Sequence, residues 1–408
     1  MTRGLTAVFA AGGVSAFGTQ MTMLALPWLV LETSGSATRA GLVFAVQVLP
    51  IALLGFLGGE VMQRHGAHRT MVVGDAARGP LVALVPILHG LDLLTLPVLL
   101  VIVALLGVFG VPYYAAQRVL AVDLIGADPK ALTRANGIME GTANVSAFAG
   151  PAAAGALIAA VGAEQVLWID AASYAVSALL LQVVPKANRV ARGKAGGPPG
   201  VLAGLRHLRA DAFLGQTMVS TITFGFLLRV LAIALPLLAF ARFDGDAALG
   251  GLLVASSGAG ALAGSVLTYA LSSRVEPRRL LTWSAVLLAA PLWLLVLPAP
   301  VPVLMAGVAL SAAAVPLSNA PYFGILTARV PDDHRPKVLQ SVITLSSVAG
   351  PLGFLSAGLL TDGLGVRATL LAVAALATLA AANILHALTR LEPASTQDMK
   401  IPITSKGR

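Results

Sequence analysis

Apolar residues fall along this chain in long, almost uncharged blocks, separated by short stretches that carry most of the basic residues. The blocks cover approximately 7–31, 40–62, 70–89, 94–116, 133–160, 165–184, 212–240, 249–271, 280–297, 301–328, 338–360 and 368–386. A hydrocarbon slab of roughly 30 Å takes about twenty helical residues to cross. Blocks of this length are too long for barrel strands, and lipid demands that every backbone hydrogen bond be satisfied within the segment, so each block predicts a helix. The pattern predicts an all-α polytopic membrane protein of twelve transmembrane helices.

Composition agrees with the pattern. Of 408 residues, 57% are hydrophobic and 11% charged, against about a quarter charged in soluble domains. Cysteine is absent, which removes disulfides, a thiol nucleophile and cysteine zinc sites. The formal charge of +9 does not read as a nucleic-acid surface, because the basic residues lie between apolar blocks. The first block is too long for a signal-peptide core and no convincing small-residue cleavage site precedes the next span, so it reads as a retained helix.

Placing the N-terminus inside puts twenty-two of the 27 Lys and Arg in inner loops and tails; Arg39, Arg242 and Arg367 fall outside, and Arg78 and Arg229 within spans. That bias sets both termini in the cytoplasm by the positive-inside rule. The stretch GFLGGEVMQRHGAHRT, 55–70, becomes the inner connection between the second and third helices. The longest loop, rich in Gly, Pro and basic residues, divides the chain into a first six-helix bundle (1–185), a cytoplasmic linker (186–211) and a second bundle (212–391), with a disordered cytoplasmic tail (392–408) lacking periodicity. Residues 201–208 have helical apolar spacing and read either as a helix along the inner membrane surface or as part of a solvated basic linker.

The halves echo each other. AGP at 149–151 recurs at 349–351, VPYYAAQRVLAVDLIGADPK resembles APYFGILTARVPDDHRPK with Pro112 and Tyr113 aligned to Pro321 and Tyr322, and Arg69 has its counterpart in Arg279. The fold expected is therefore two pseudo-repeated six-helix bundles, the arrangement by which two similar bodies rock about a shared site.

On these features the chain resembles the major facilitator superfamily over nearly its whole length, and more narrowly its bacterial drug-exporter branch, which includes macrolide-efflux and enterobactin-exporter-like proteins. The inner loop between helices two and three matches that family's pattern at Gly59, Arg64 and Gly66, with a basic residue at Arg69, while Gln63 and Ala67 depart from it. GDAARG, TRANG, GPAAAG and IDAASY resemble the branch's signatures in helices three, five and six. Helix one has Thr19 and Met23 where branch members often carry Asp and Arg. The resemblance implies a major facilitator fold, export driven by an ion gradient, and a location in the bacterial inner membrane.

An ionised group at mid-membrane depth costs a few kcal/mol, so each one in a span calls for a reason. Asn136, Glu140 and Asn144 recur every fourth residue and form one polar stripe on helix five. Glu140 reads either as a proton carrier whose affinity is raised by burial or as the partner of Arg118 or Arg134. Asp170 and Asp75 are further proton-coupling candidates, Asp170 also fitting a packing role; Asp75 and Arg78, three apart, can pair. Gln20, Asn136, Asn144 and Arg229 are substrate-cavity candidates. Arg229 needs an acid, carbonyls or an anionic ligand, with Glu140 or Asp170 as possible partners, unless it snorkels to the outer interface. Gly59, Arg64, Gly66, Arg69 and Arg78 are cytoplasmic gate candidates; Arg64 and Arg69 can clasp Asp75 or Asp123 when the inner side closes. Gly150, Pro151, Gly350 and Pro351 are helix-bending positions, and Trp28 and Trp168 read as interfacial anchors.

The function these residues imply is secondary active export of amphipathic small molecules by proton antiport and alternating access, in a monomeric unit whose partners are its substrate, protons and the bilayer. The alternative is a gradient-driven importer or uniporter of a small nutrient. No phosphate-cradling loop, metal-ligand spacing or catalytic cluster is visible, so neither an enzyme, a cofactor nor a nucleic-acid partner is expected.

Overall fold

The computed structural model describes residues 3–125, 129–184, 206, 208, 211–243, 245–330 and 335–390, apart from certain side chains within its helices. All regular structure among them is helical. The helices are α1 (Arg3–Ser34), α2 (Ala37–His65), α3 (Ala67–Gly90), α4 (Leu96–Ile125), α5 (Pro129–Val161), α6 (Ala163–Gln182), α7 (Ala212–Arg242), α8 (Ala247–Ser272), α9 (Pro277–Ala289), α10 (Val301–Arg329), α11 (Arg335–Leu364) and α12 (Val366–Thr389). Each overlaps one predicted apolar block. Among the described residues, nine candidate spans are long and apolar enough to cross a membrane. The α6 helix is not among them, since Glu164, Gln165 and Asp170 dilute its apolar character; α2 and α11 contribute only the shorter apolar runs Ala37–Pro50 and Val348–Leu364.

Local chemistry sets the ends. After Ala289 the chain tightens into a 3₁₀ segment, Ala290–Val296, because Pro291 has no N–H with which to continue the α-helical ladder. Gly162 and Gly365 join α5 to α6 and α11 to α12 with φ of 90° and 85°, a left-handed conformation that lets two helices meet without an intervening loop. The two lie at corresponding places in the two halves, one more trace of the repeat. Gly66 has φ 84° between α2 and α3, and a Cβ there would meet nothing within 4 Å. It therefore turns the chain and leaves open space beside it.

Asp211 caps α7, accepting from the backbone N–H of Phe213 at 2.9 Å and Leu214 at 3.1 Å, and pairs with Arg329 of α10 at 3.0 Å. Burial alone would raise its carboxyl, but those N–H groups and the guanidinium outweigh it and hold it below the usual carboxylate range. Of the linker, only Arg206, Leu208 and Asp211 are described; Leu208 is buried in the core cluster that holds Phe213 and Leu214, and the rest of the 201–208 stretch read as a surface helix lies outside the described residues. The rest of 185–210 and the tail from 391 lie outside the described residues.

Successive helices run in opposite directions, so Arg3 of α1 and Thr389 of α12 end at one face, the terminal face; the opposite end is the far face. Helices α1–α6 pack chiefly on one another, and so do α7–α12. Gly260 and Gly264 of α8 bring its backbone against Ala309 and Ala313 of α10, the small-residue face expected from their spacing.

The two sets meet toward the far face. A Cβ on Gly155 of α5 would lie 2.6 Å from the Ala247 carbonyl oxygen, and one on Gly251 of α8 would lie 2.5 Å from that of Pro151. Nearby, Phe44 of α2 stacks on Phe354 of α11 with centroids 5.3 Å apart. Trp28 is 1% exposed, seated on Gly250 and edge-on to Phe240, so it belongs to this seal and is not an interfacial anchor. Trp168 is 42% exposed. Asp362, on α11, reaches across to cap α2, accepting from the N–H of Ala37 at 2.9 Å and Thr38 at 2.8 Å and from the Ser36 hydroxyl at 2.8 Å.

The backbone contact at Gly251 leaves no room for a side chain. We expect Gly251→Val to force the far face apart, so that a cysteine introduced as Ala40→Cys, which is 0% exposed, reacts with maleimide faster than in the Ala40→Cys protein with Gly251 intact. The absence of native cysteine leaves the readout free of background; equal labelling rates would show that α5 and α8 tolerate the bulk without parting.

Candidate functional site

A buried polar cluster occupies the middle of the first six helices. On α1, Ser15, Thr19 and Thr22 follow one another at spacings of four and three, which puts them on one helix face. On α6, Asp170, Ser173, Tyr174 and Ser177 form a matching stripe. Ser177 donates to Asp75 Oδ2 at 2.6 Å and Ser15 approaches Oδ1 at 3.4 Å. Thr22 donates to Asp170 at 2.5 Å, Ser173 donates to the same carboxylate at 3.1 Å, and the Thr19 and Tyr174 hydroxyls are 2.9 Å apart.

Arg78 lies between. Its Nη2 is 2.5 Å from Asp75 Oδ1, its Nε donates to the Gly74 carbonyl at 3.3 Å, and its guanidinium sits over the rings of Tyr113 and Tyr174 at 4.2 and 4.5 Å. Asp75 and Asp170 are each 0% exposed and Arg78 3%. Buried charges persist only when paired and hydrogen-bonded, and the two stripes supply those bonds. The spacing read from α3 alone anticipated the Asp75–Arg78 pair. The α1 and α6 stripes were missed, although their signal is in the sequence: small hydroxyl residues repeating at helical spacing within otherwise apolar spans.

Two cavities open toward the terminal half of the molecule. The first, of about 370 Å³, is lined by Phe9, Gly12, Ser15 and Ala16 of α1, Tyr113, Gln117 and Arg118 of α4, and Met139, Glu140, Thr142 and Ala143 of α5. The second, of about 360 Å³, draws on α7, α10 and α11, with contributions from α9 and α12, and includes Thr221, Phe224, Arg229, Ser318, Asn319 and Ser346. Helices one, four and five of one half thus do what helices one, four and five of the other do. Tyr113 and Tyr322, aligned by the repeat, are both buried. Ser15 and Tyr113 line the first cavity and also border the buried cluster, so the cavity reaches to within one hydroxyl of Asp75.

The predicted site residues divide. Glu140 lines the first cavity, but its side chain is 66% exposed and bound to Arg118 at 3.2 Å, the pairing alternative and not the buried carboxyl. Arg229 lines the second cavity; among the described residues no carboxylate lies within ion-pairing distance of it. Glu140 and Asp170, considered as its partners, are held by Arg118 and by Thr22 and Ser173. Gln20 is half-buried and packs its Cβ where a Gly150 side chain would begin, 2.6 Å away; it lines neither cavity. Asn144 is half-buried, while the α5 lining is Met139, Glu140, Thr142 and Ala143. The side chain of Asn136 and the surroundings of Gly59 lie outside the described residues.

Among the gate candidates, Arg64 and Arg69 are exposed near the terminal face. Asp75 is not available to them, being enclosed and bound to Arg78, and Arg78 belongs to that enclosed cluster and not to the inner ends. Pro151 and Pro351 lie within continuous helices α5 and α11. Gly150 packs against α1, and Gly350 against Val48 and Arg229.

The sequence profile of the transmembrane secretion effector family matches residues 3–404. The multidrug efflux pump Tap of Mycobacterium tuberculosis (strain ATCC 25618 / H37Rv) is 32% identical over 417 aligned residues, covering 96% of each chain. Its namesake in Mycolicibacterium fortuitum is 28% identical, covering 87% of this chain and 88% of its own. Among solved structures, the nucleoside transporter NupG superposes with a TM-score of 0.76 at 12% identity, covering 96% of this chain and 100% of its own. A bacterial homologue of the iron transporter ferroportin, in its inward-facing state, gives 0.76 at 17%, covering 95% and 99%. Both are likenesses of fold.

Removing one member of an enclosed ion pair strands the other, typically at a cost of about 3–5 kcal/mol, whereas replacing both with neutral groups is far milder. Arg78→Leu is expected to lower the unfolding temperature sharply in nanodiscs, and adding Asp75→Asn to recover most of that loss. If the double variant were no more stable than the single one, the pair would not be what holds α3 in place.

Proposed function

The chain belongs to the transmembrane secretion effector family of the major facilitator superfamily, and from that premise we propose that it exports amphipathic small molecules from the cytoplasm of a bacterial cell by alternating access, in exchange for protons. The observation that carries the reading is the pair of repeat-related cavities, open toward the terminal half beneath a far face sealed by helix-to-helix backbone contact. Efflux pumps among its full-length relatives support the direction of transport.

In this reading 1–185 and 212–391 are the two rocking bodies, 186–211 is the cytoplasmic tether and 392–408 a cytoplasmic tail. The basic bias of the inner loops supports both termini on the cytoplasmic side of the inner membrane, and in that orientation the cavities face inward. The working unit is a monomer. Bending at Gly150–Pro151 and Gly350–Pro351 accompanies the exchange of states, and Arg64, Arg69, Gly59 and Gly66 act at the cytoplasmic closure.

Glu140 carries the exchanged proton. In the inward state its carboxylate stands in water beside Arg118; when the cavity turns outward, protonation of Glu140 releases Arg118, and return inward discharges the proton. Asp75 and Asp170 lie deeper, behind Ser15, and hold the α1–α3–α6 contacts that such a proton would loosen. Asn136 and Asn144, on the same helix, and Gln20 adjoin this path.

Inside-out proteoliposomes with an acidic lumen, exposed to ethidium and a panel of amphipathic drugs, test the reading. The intact protein should accumulate substrate only when the gradient is imposed, and Glu140→Gln should reduce gradient-driven accumulation to background while leaving substrate exchange at equal pH. Gradient-driven accumulation by Glu140→Gln would remove Glu140 from the coupling role; no accumulation of any compound by the intact protein would remove the exporter reading.

A further inference from the structure

Arg229 stands inside α7, seventeen positions from the first residue of the helix that begins at Ala212. Its side chain is exposed to the second cavity, and among the described residues no acid pairs with it. The described acids of the second half, Asp211, Asp246, Glu276 and Asp362, sit at helix ends, where two of them cap helices α7 and α8 and Asp362 caps α2 across the seal. A guanidinium cannot shed its proton to escape this setting, and an unpaired charge at that depth is costly.

What surrounds it leaves the charge unanswered. The Phe354 ring lies 5.8 Å from the guanidinium carbon, too weak a contact to replace a counter-ion. Thr221, Ser318, Asn319 and Ser346 offer neutral hydrogen-bonding groups, and the rest of the lining is mostly apolar. Small residues keep space beside the cation: a Cβ on Gly353 would come within 2.8 Å of Arg229 Cβ, and one on Gly350 would reach 4.0 Å from Nε. The repeat-related cavity makes the contrast. There the cation, Arg118, has its acid in Glu140 at 3.2 Å. One cavity is internally neutralised and the other carries a net positive charge.

Resting on the exporter reading, we infer that the cavity at Arg229 is an oxyanion-recognising subsite, and that the preferred exported molecules carry a single carboxylate, sulfonate or phosphate group on an apolar or aromatic body. The planar guanidinium takes the oxyanion through paired, charge-assisted hydrogen bonds, the hydroxyl and amide side chains complete its shell, and Phe224, Leu228 and Val315 receive the apolar part.

Equilibrium binding of tritiated 1-naphthaleneacetate and 1-naphthaleneacetamide to the full chain in nanodiscs isolates the charge, since the two share one aromatic body. The intact protein should bind the carboxylate about tenfold or more tightly over the amide. Arg229→Gln should bring the ratio to about one, chiefly by weakening carboxylate binding, and Arg229→Lys, which keeps the charge but not the fork, should retain a reduced preference. Ser346→Asp, which places an acid in the same cavity while leaving Arg229 intact, should also erase the preference, and it covers the case in which Arg229→Gln fails to fold. Equal binding of the two probes by the intact protein, no binding of the carboxylate, or a preference that survives both Arg229→Gln and Ser346→Asp would overturn the inference. Gradient-driven uptake of the amide in proteoliposomes keeps the exporter reading separable: uptake without charge preference sinks the subsite alone.

Discussion

Hydrocarbon offers nothing to an ionised side chain, and that constraint organises this protein more than any single contact. Asp75 and Arg78 meet it by enclosure. Ser15 and Ser177 hold the carboxylate, Tyr113 and Tyr174 flank the guanidinium, and Thr22 and Ser173 satisfy the neighbouring Asp170. Because those partners come from α1, α4 and α6, satisfying one helix's charges fixes the positions of four helices. The first six-helix set is thereby braced around a polar knot, and the first cavity opens alongside it with Ser15 and Tyr113 in common.

The second set is built differently. Its described helices are held by apolar packing, by small residues such as Gly260 and Gly264, and by end caps such as Asp211, with one cation, Arg229, left facing the cavity. The seam between the sets relies on backbone approach at Gly155 and Gly251, on stacked Phe44 and Phe354, and on Asp362 capping a helix of the opposite set. Such contacts are extensive enough to close the far face, yet they hold few hydrogen bonds across the seam, so parting them strands few polar groups. A surface of that kind suits the opening of the far face that the proposed transport cycle requires.

Much of this was legible in the chain. Helix number and approximate extent followed from block length, because the bilayer fixes how many apolar residues a crossing needs; the apolar block of α4 ends at Ala116 while the helix runs on to Ile125, since Arg118 and Asp123 ride on its last turns. The repeat was legible in Pro112–Tyr113 and Pro321–Tyr322, and the Asp75–Arg78 pair in a spacing of three. Depth and facing were not. Trp28 has the sequence position of an interfacial anchor but turns inward onto Gly250, and Glu140 shares a helical stripe with Asn144 yet stands in the open cavity beside Arg118. Whether a side chain on an all-apolar helix faces lipid, a neighbour or a cavity depends on which other helices surround it, and composition along one helix does not encode that. The hydroxyl stripes of α1 and α6 were readable in principle; Ser and Thr draw little notice because they fit apolar spans by bonding their own backbone.

Reciprocal motion of the two sets is the claim on which the remainder rests. The cysteine-free chain allows spin labels at Val161 and Leu252 near the far face, and at Val122 and Arg274 near the terminal face, all exposed positions. Pulsed electron paramagnetic resonance distances in nanodiscs, compared with and without saturating substrate across a range of pH, should show the far-face pair separating as the terminal-face pair draws together. Distances that stay fixed under every condition, or that lengthen and shorten together at both faces, would contradict a rocking exporter.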